Sequence, residues 1–208
     1  IVIFAPELRR MLEQLGTNKI TKYFGIYKDI EVKTKEDIYK IVIASTELTK
    51  TKTGGLIVVE RDINISDIIE SGVKIDSDVS PQLIVNLFTP NTPLHDGAVI
   101  ISNNKIAAAA CILPLADDKE IAKEIGTRHR AGIGISKESD AIAIIVSEET
   151  GKISVAIDGN LIADVKEEAL KNILIKYMIN KRFAVERNRR VKKLKIKKEN
   201  KQKQNEEH

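Results

Sequence analysis

Two short polar clusters hold the residues best able to do chemistry. The first is Asn91-Thr92-Pro93-Leu94-His95-Asp96-Gly97, which runs into the apolar stretch Ala98-Val99-Ile100-Ile101. An Asp before Gly is often only a turn residue. With His95 beside it, however, Asp96 belongs to a pair that can ligate a metal or handle a proton. The apolar run sets that pair at a strand edge, where side chains are held rigidly, and Gly97 lets a ligand approach the backbone closely. The second cluster is Gly126-Thr127-Arg128-His129-Arg130. Two Arg in three residues are common on solvated faces, but here a helix is expected to begin. A helix N-terminus offers free N–H groups, Thr127 adds a hydroxyl, and two guanidiniums add donor forks that suit phosphate oxygens. That set is what a polyphosphate needs, and no Gly-x-x-x-x-Gly-Lys-Ser/Thr loop is present to do the work instead. Glu148-Glu149 is either an exposed hairpin turn or the source of a carboxylate that helps hold Mg²⁺ or Mn²⁺ beside Asp96. Apart from the terminal His208, both histidines fall inside the two clusters.

The flanking sequence predicts elements that would carry these clusters. Pro6 to Leu15 reads as a helix closed by Gly16, and residues 17–33 as mostly loop. Thr34-Lys35-Glu36-Asp37 resembles a helix start with Thr34 as N-cap, followed by a helix to about Lys50 that buries Ile38, Ile41, Val42, Ser45 and Leu48. Thr51 to Gly55 is a breaker, and Leu56 to Glu60 a central strand. Ser66 starts a short helix ended by Gly72, and Ser80-Pro81 opens another over 81–88. Ala98–Ser102 and Lys105–Leu113 form a hairpin about Asn103-Asn104, and the alanines at 107–110 imply close packing of another element on the sheet. Asp117 to Ile125 and Thr127 to Ile135 read as short helices. Ala141–Ser147 and Lys152–Ile157 are strands, Asp158-Gly159 is a turn, and Val165 to about Phe183 is a long helix with Val165, Ala169, Leu170, Ile173, Leu174 and Tyr177 at helical spacing. Alternating elements followed by hairpins place the chain in the α/β class, with a mixed central sheet flanked by helices.

Composition bounds the rest. The 208 residues allow one domain with appendages, and the core must be aliphatic because aromatics are only 4% and Trp is absent. The lone Cys111 sits among small apolar residues and reads as core rather than as a reactive thiol. Residues 181–208 carry 12 Lys/Arg against 4 Glu, a charge of +8, which leaves −4 on residues 1–180. The basicity is therefore a property of the tail, and no nucleic-acid partner is expected for the folded part. The boundaries expected are a domain over 1–183 and a basic tail over 184–208. The tail reads as a disordered solubilising end in preference to a docking arm for membrane or nucleic acid. No stretch approaches the ~20 apolar residues needed to span a bilayer. The opening Ile1-Val2-Ile3-Phe4, without Met, reads either as a cut into a longer protein just after an apolar segment or as a buried first strand.

With both clusters in view, the chain resembles the diadenylate cyclase family, which makes cyclic di-AMP from ATP. The residues that carry the resemblance are Asp96-Gly97-Ala98 and Arg128-His129-Arg130, supported by Pro93-Leu94-His95, Gly126-Thr127 and Val146-Ser147-Glu148-Glu149-Thr150-Gly151. The opening Phe4-Ala5-Pro6-Glu7-Leu8-Arg9-Arg10 resembles the start of the cytoplasmic domain in the membrane-bound branch. The resemblance implies that Asp96 holds the catalytic metal and helps activate the ribose 3′-hydroxyl, with His95 and Glu149 as companions in catalysis and metal binding. It places Gly97 and Leu113 along the nucleotide, Thr127, Arg128, His129 and Arg130 on the triphosphate, and Ser147 near the phosphates. The implied cofactor is manganese or magnesium, with cobalt a further candidate. The implied partners are ATP, a second copy of the chain facing the first, and a bacterial cell membrane reached through preceding helices, at its cytoplasmic face. Ile112 departs from relatives that stack a tyrosine on adenine there. The competing expectation is a nucleotide-binding regulatory module without turnover.

Overall fold

The computed structural model describes residues 27–116 and 126–180. The helix expected over 6–15, the one over 117–125 and the basic tail lie outside those residues. The first described helix, α1, spans Tyr27–Lys50. It begins earlier than Thr34, so 27–33 are helical rather than loop. Thr34 does not cap; it is buried, and its hydroxyl accepts a hydrogen bond from Asn104 Nδ2 at 3.2 Å. A tertiary contact has claimed the side chain that local sequence assigned to a helix end. The buried face is as expected, with Ile38, Ile41 and Leu48 fully buried and Val42 and Ser45 beside them.

Seven strands follow: β1 Gly55–Val59, β2 Val73–Asp78, β3 Ala98–Ser102, β4 Lys105–Cys111, β5 Ile142–Val146, β6 Ile153–Ile157 and β7 Asn160–Ile162. The helices between and after them are α2 Ser66–Glu70, α3 Pro81–Leu87, α4 Thr127–Glu138 and α5 Glu167–Leu174. The strands form one mixed sheet in the order β2-β4-β3-β1-β5-β6-β7. Among the described strands only β1 and β3 run parallel; every other neighbouring pair is antiparallel. The expected α/β class and central β1 are both observed.

All five residues of β1 are buried, since helices cover both faces of the sheet. On one face α1, α3 and α5 pack Ile41, Ile84 and Leu170 onto Ile57, Val99 and Ile144. On the other, Ala131, Ile133 and Ile135 of α4 cover Val58, Ala98, Ile100 and Ile145. Cutting Ile57 back to Ala would cost about 2–5 kcal/mol, the usual range for a fully enclosed aliphatic side chain. The alanine-rich β4 accommodates α2, whose Ile68 and Ile69 pack onto the α4 side of the sheet.

Local chemistry accounts for some boundaries. Ser80 caps α3 by accepting from Leu83 N, and Pro81 occupies the first turn. Asn103 and Asn104, with φ of 50° and 62°, make the left-handed pair that a two-residue hairpin requires. The edge strands β2 and β7 were not anticipated; most of their residues are exposed, so they lack an apolar signature. The long helix expected from Val165 is α-helical only over α5 and continues as a π-helical turn over Ile175–Asn180. Ala169, expected on its inner face, is exposed, while Leu170 and Leu174 are buried.

Candidate active site at one end of the sheet

Strand register gathers the polar clusters. β1 and β3 run parallel with Ile57 level with Val99, so extending the ladder by two residues brings Gly55 level with Gly97. Gly55 also pairs with Val146 at the end of β5, Val146 with Ile153 at the start of β6, and Ala98 with Cys111 at the end of β4. One rim of the sheet therefore carries Gly54, Asp96-Gly97, Leu113, Ser147-Glu148-Glu149 and Ser154. The N-terminus of α4 reaches the same rim: Arg128 Nη1 donates to Glu148 Oε2 at 2.7 Å, and His129 Nε2 lies 3.3 Å from Ser154 Oγ. Ala116 N donates to the Arg130 carbonyl at 3.1 Å and ties the segment after β4 to the first turn of α4.

Close backbone approach shapes the rim. Gly97 has φ of 108°, and a Cβ there would stand 2.8 Å from the Ala110 carbonyl carbon and 2.9 Å from the Cys111 oxygen. Opposite it, β4 advances three residues from Ala108 to Cys111 while β3 advances two from Ala98 to Ile100. The extra residue is a bulge, and Ala110 takes it up with φ of 54°. Gly132 and Gly134 let α4 sit low: added Cβ atoms would meet Ile145 Cδ1 at 2.8 Å and the Pro114 oxygen at 2.0 Å.

The catalytic candidates present themselves differently. Asp96 is exposed and has no hydrogen bond or ion pair among the described residues. The His95 ring is half-buried, and its Nδ1 lies 2.5 Å from the Thr92 carbonyl oxygen. A carbonyl acceptor at that position requires a proton on Nδ1, so Nδ1 is the donor and Nε2 is the ring nitrogen left to meet a ligand. Gly126, the N-cap of α4, supplies no side-chain cap, so the amides of Thr127 and Arg128 are donors without an intrahelical acceptor. Arg128 and Arg130 are half-buried, and the Nε of each is buried without a hydrogen bond among the described residues. Burial holds His129 below its ordinary range, partly offset by the nearby charge of Glu149, so at neutral pH it is an uncharged imidazole. Ser147 closes the β5–β6 turn, its Oγ accepting from Thr150 N at 3.2 Å. Leu113 is buried beneath the rim, whereas Ile112 is 73% exposed beside it.

Among the described residues, no three His, Cys, Asp or Glu side chains stand close enough to hold a metal ion. Asp96, His95 and Glu149 thus form no preassembled cage. The donor set still suits a cation that prefers one or two carboxylates and takes its remaining ligands from phosphates and water. Cys111 is buried, and desolvation pushes its thiol up to about 11; it is the inert core residue the sequence suggests. Two contributors escaped sequence reasoning. Gly54 reads as a breaker, yet it lies against Arg128 and Glu148. Ser154 is a buried hydroxyl inside the apolar run of β6, and that mismatch was the available signal.

The family described as DAC, DisA bacterial checkpoint controller nucleotide-binding, matches residues 42–161, which contain every one of these groups. The cyclic di-AMP synthase CdaA of Bacillus subtilis is 50% identical over 174 residues, covering 84% of this chain and 63% of that protein. A diadenylate cyclase of Listeria monocytogenes is 49% identical over 179 residues, covering 86% of this chain and 65% of its own. The chain belongs to the diadenylate cyclase family. It spans a little under two thirds of the length of these two relatives. Among solved members, a double mutant of DacA from Staphylococcus aureus superposes with a TM-score of 0.67 at 46% identity, covering 69% of this chain and 96% of that one. A Bacillus cereus protein described as a hypothetical membrane spanning protein gives 0.58 at 44% identity, covering 61% and 62%. No helix among the described residues of this family member is long and apolar enough to cross a membrane.

Proposed function

We propose that this chain is the catalytic part of a diadenylate cyclase, condensing two ATP into cyclic di-AMP and two pyrophosphates. The observation that carries the reading is the shared rim: Asp96, His95 and the first turn of α4 meet at one end of the sheet, in a chain half identical to a protein named cyclic di-AMP synthase. In each half-reaction a 3′-hydroxyl attacks the α-phosphorus of the other ATP. One P–O bond forms, the bond to the pyrophosphate oxygen breaks, and the hydroxyl proton is lost. Such displacements depend on in-line positioning and charge neutralisation more than on covalent help from the protein.

The residues divide this work. Thr127, Arg128 and Arg130, with the open amides of the first α4 turn, hold the triphosphate. The uncharged His129 contributes a hydrogen bond rather than another positive charge. Gly97 and Leu113 border the nucleoside, and the exposed Ile112 offers its base an apolar contact. Asp96, with His95 Nε2 and Glu149, would hold a divalent manganese, magnesium or cobalt ion, which when bound supplies charge neutralisation at the phosphates. The ring product has two-fold symmetry, so two copies of the chain face each other with one ATP each. By analogy with the relative described as a hypothetical membrane spanning protein, the whole protein is associated with a membrane, and the part that uses ATP faces the cytoplasm. Incubation with ATP and Mn²⁺ or Mg²⁺, followed by chromatography, tests the reading. Cyclic di-AMP and pyrophosphate in a 1:2 ratio are expected; bound but unaltered ATP with every divalent ion would instead indicate a regulatory nucleotide-binding module.

A further inference from the structure

The geometry points to Gly54 and Glu148 as positioning residues that clamp Arg128 in the attitude that receives the triphosphate, an inference that rests on the cyclase reading. Two contacts define the clamp. Glu148 Oε2 accepts from Arg128 Nη1 at 2.7 Å and sets one edge of the guanidinium. The bare α-carbon of Gly54 sets its other limit. A Cβ there would stand 2.4 Å from Arg128 Nη1, 2.9 Å from its Cζ and 2.8 Å from Glu148 Oε2. Arg128 Nε makes no hydrogen bond among the described residues, where the carboxylate and the glycine floor are the contacts that orient the group. A guanidinium is planar, with five N–H donors in fixed directions. Once one edge and one neighbouring surface are set, the aim of the remaining donors is set too, and less rotamer entropy is lost when a phosphate binds.

The glycine makes the inference testable without unfolding the protein. Gly54 is not among the glycines with positive φ, so the backbone accepts alanine. What an added methyl displaces is the end of a long side chain rather than the main chain. Gly54→Ala should therefore fold normally and move little except the guanidinium. Glu148→Gln keeps an oxygen acceptor and removes the charge.

The experiment measures calorimetric affinity for a non-hydrolysable ATP analogue, together with KM, kcat and thermal midpoint. The proteins compared are wild type, Gly54→Ala, Glu148→Gln, Arg128→Ala and the Gly54→Ala/Arg128→Ala double variant. Gly54→Ala should melt with the wild type, bind the analogue roughly tenfold more weakly, the loss of about one charge-assisted hydrogen bond, and raise KM more than it lowers kcat. Glu148→Gln should weaken binding by about threefold, as expected for a partly exposed pair. The Gly54→Ala loss should vanish in the Arg128→Ala background. An equal loss in that background, unchanged affinity, or tighter binding by Glu148→Gln, which would make Glu148 a competitor of phosphate, overturns the clamp. A wild type that binds the analogue but forms no cyclic product sinks the turnover reading alone, because the binding comparison still decides the clamp. A wild type that binds no analogue overturns both.

Discussion

The two ends of the sheet use polar residues in opposite ways. At the end away from α4's first turn, Glu60, Asp140, Arg61 and Asn104 are spent on neighbours. Glu60 accepts from Ile65 N at 3.0 Å and from the Ser102 hydroxyl. Asp140 accepts from Asp62 N at 3.2 Å and Ile63 N at 3.0 Å, while Arg61 Nη1 donates to its carbonyl at 3.0 Å. Asn104 of the hairpin turn donates to Asp37 Oδ2 at 2.9 Å. At the Asp96 end the same residue types stand open: neither Asp96 nor His95 Nε2 has a partner among the described residues, and the α4 amides are uncapped. A rim whose donors and acceptors satisfy each other stabilises the fold, whereas one that leaves them open has something to offer a ligand. Composition alone does not separate the two ends, since both contain acids, an arginine and hydroxyls.

Matched substitutions at the two ends should therefore act on different properties, turnover at one and stability at the other. Asp96→Asn should lower turnover by about a hundredfold or more, the usual scale for losing a group that handles a proton, with no change in thermal midpoint because the side chain is exposed and has no partner among the described residues. Asp140→Asn, at the other end, should cost about 1–3 kcal/mol in denaturant unfolding by weakening acceptors that two backbone amides need. Its turnover per folded molecule should match wild type. If Asp140→Asn abolishes product formation in fully folded protein, the division between a structural rim and a working rim is wrong.

A third substitution tests how the working rim is held in place. A Cβ on Gly134 would sit 2.0 Å from the Pro114 oxygen, a main-chain atom that cannot swing aside as an arginine tip can. Gly134→Ala must push α4 away from the segment that carries Leu113. We expect a loss of about 1–3 kcal/mol from overpacking and a parallel rise in KM for ATP. Gly54→Ala, whose clash is with a flexible side chain, should show the second effect without the first.

This contrast also marks how much could be read before the fold was known. The central strand, the helix opening at Thr127, the Asn103-Asn104 hairpin and both polar clusters were legible, because each depends on local periodicity or on a residue suited to a local conformation. What escaped depends on register. Gly54 matters because β5 ends beside it and brings Glu148 over its α-carbon. Ser154 matters because α4 crosses β6 and delivers His129 to it. Thr34 was misassigned as a cap for the same reason, since its partner Asn104 is 70 residues away. The bulge at Ala110, which lets Gly97 approach β4, has no signature within an alanine run. Edge strands β2 and β7 lack the buried face that would reveal them.

The smallest expected effect concerns pH and belongs to the Asp96 end alone. Burial lowers the His129 pKa from 6.5, so the folded state resists a proton that the unfolded chain accepts. The stability linked to this residue is complete above about pH 6.5. It is lost as pH falls from there through the lowered folded value, because in that window the unfolded state binds more protons. Denaturant midpoints taken at neutral pH and near pH 5 should therefore differ less for His129→Gln than for wild type. Glu149 acts in the opposite direction, its charge favouring the imidazolium. Removing it by Glu149→Gln should lower the His129 pKa further and steepen the acid loss, with no such change in the double variant that also lacks His129. Chemical shifts of the imidazole carbons would report the same order directly. A His129 that titrates above 6.5 would mean that the charge of Glu149 outweighs burial, and that the triphosphate meets a cation rather than a neutral ring.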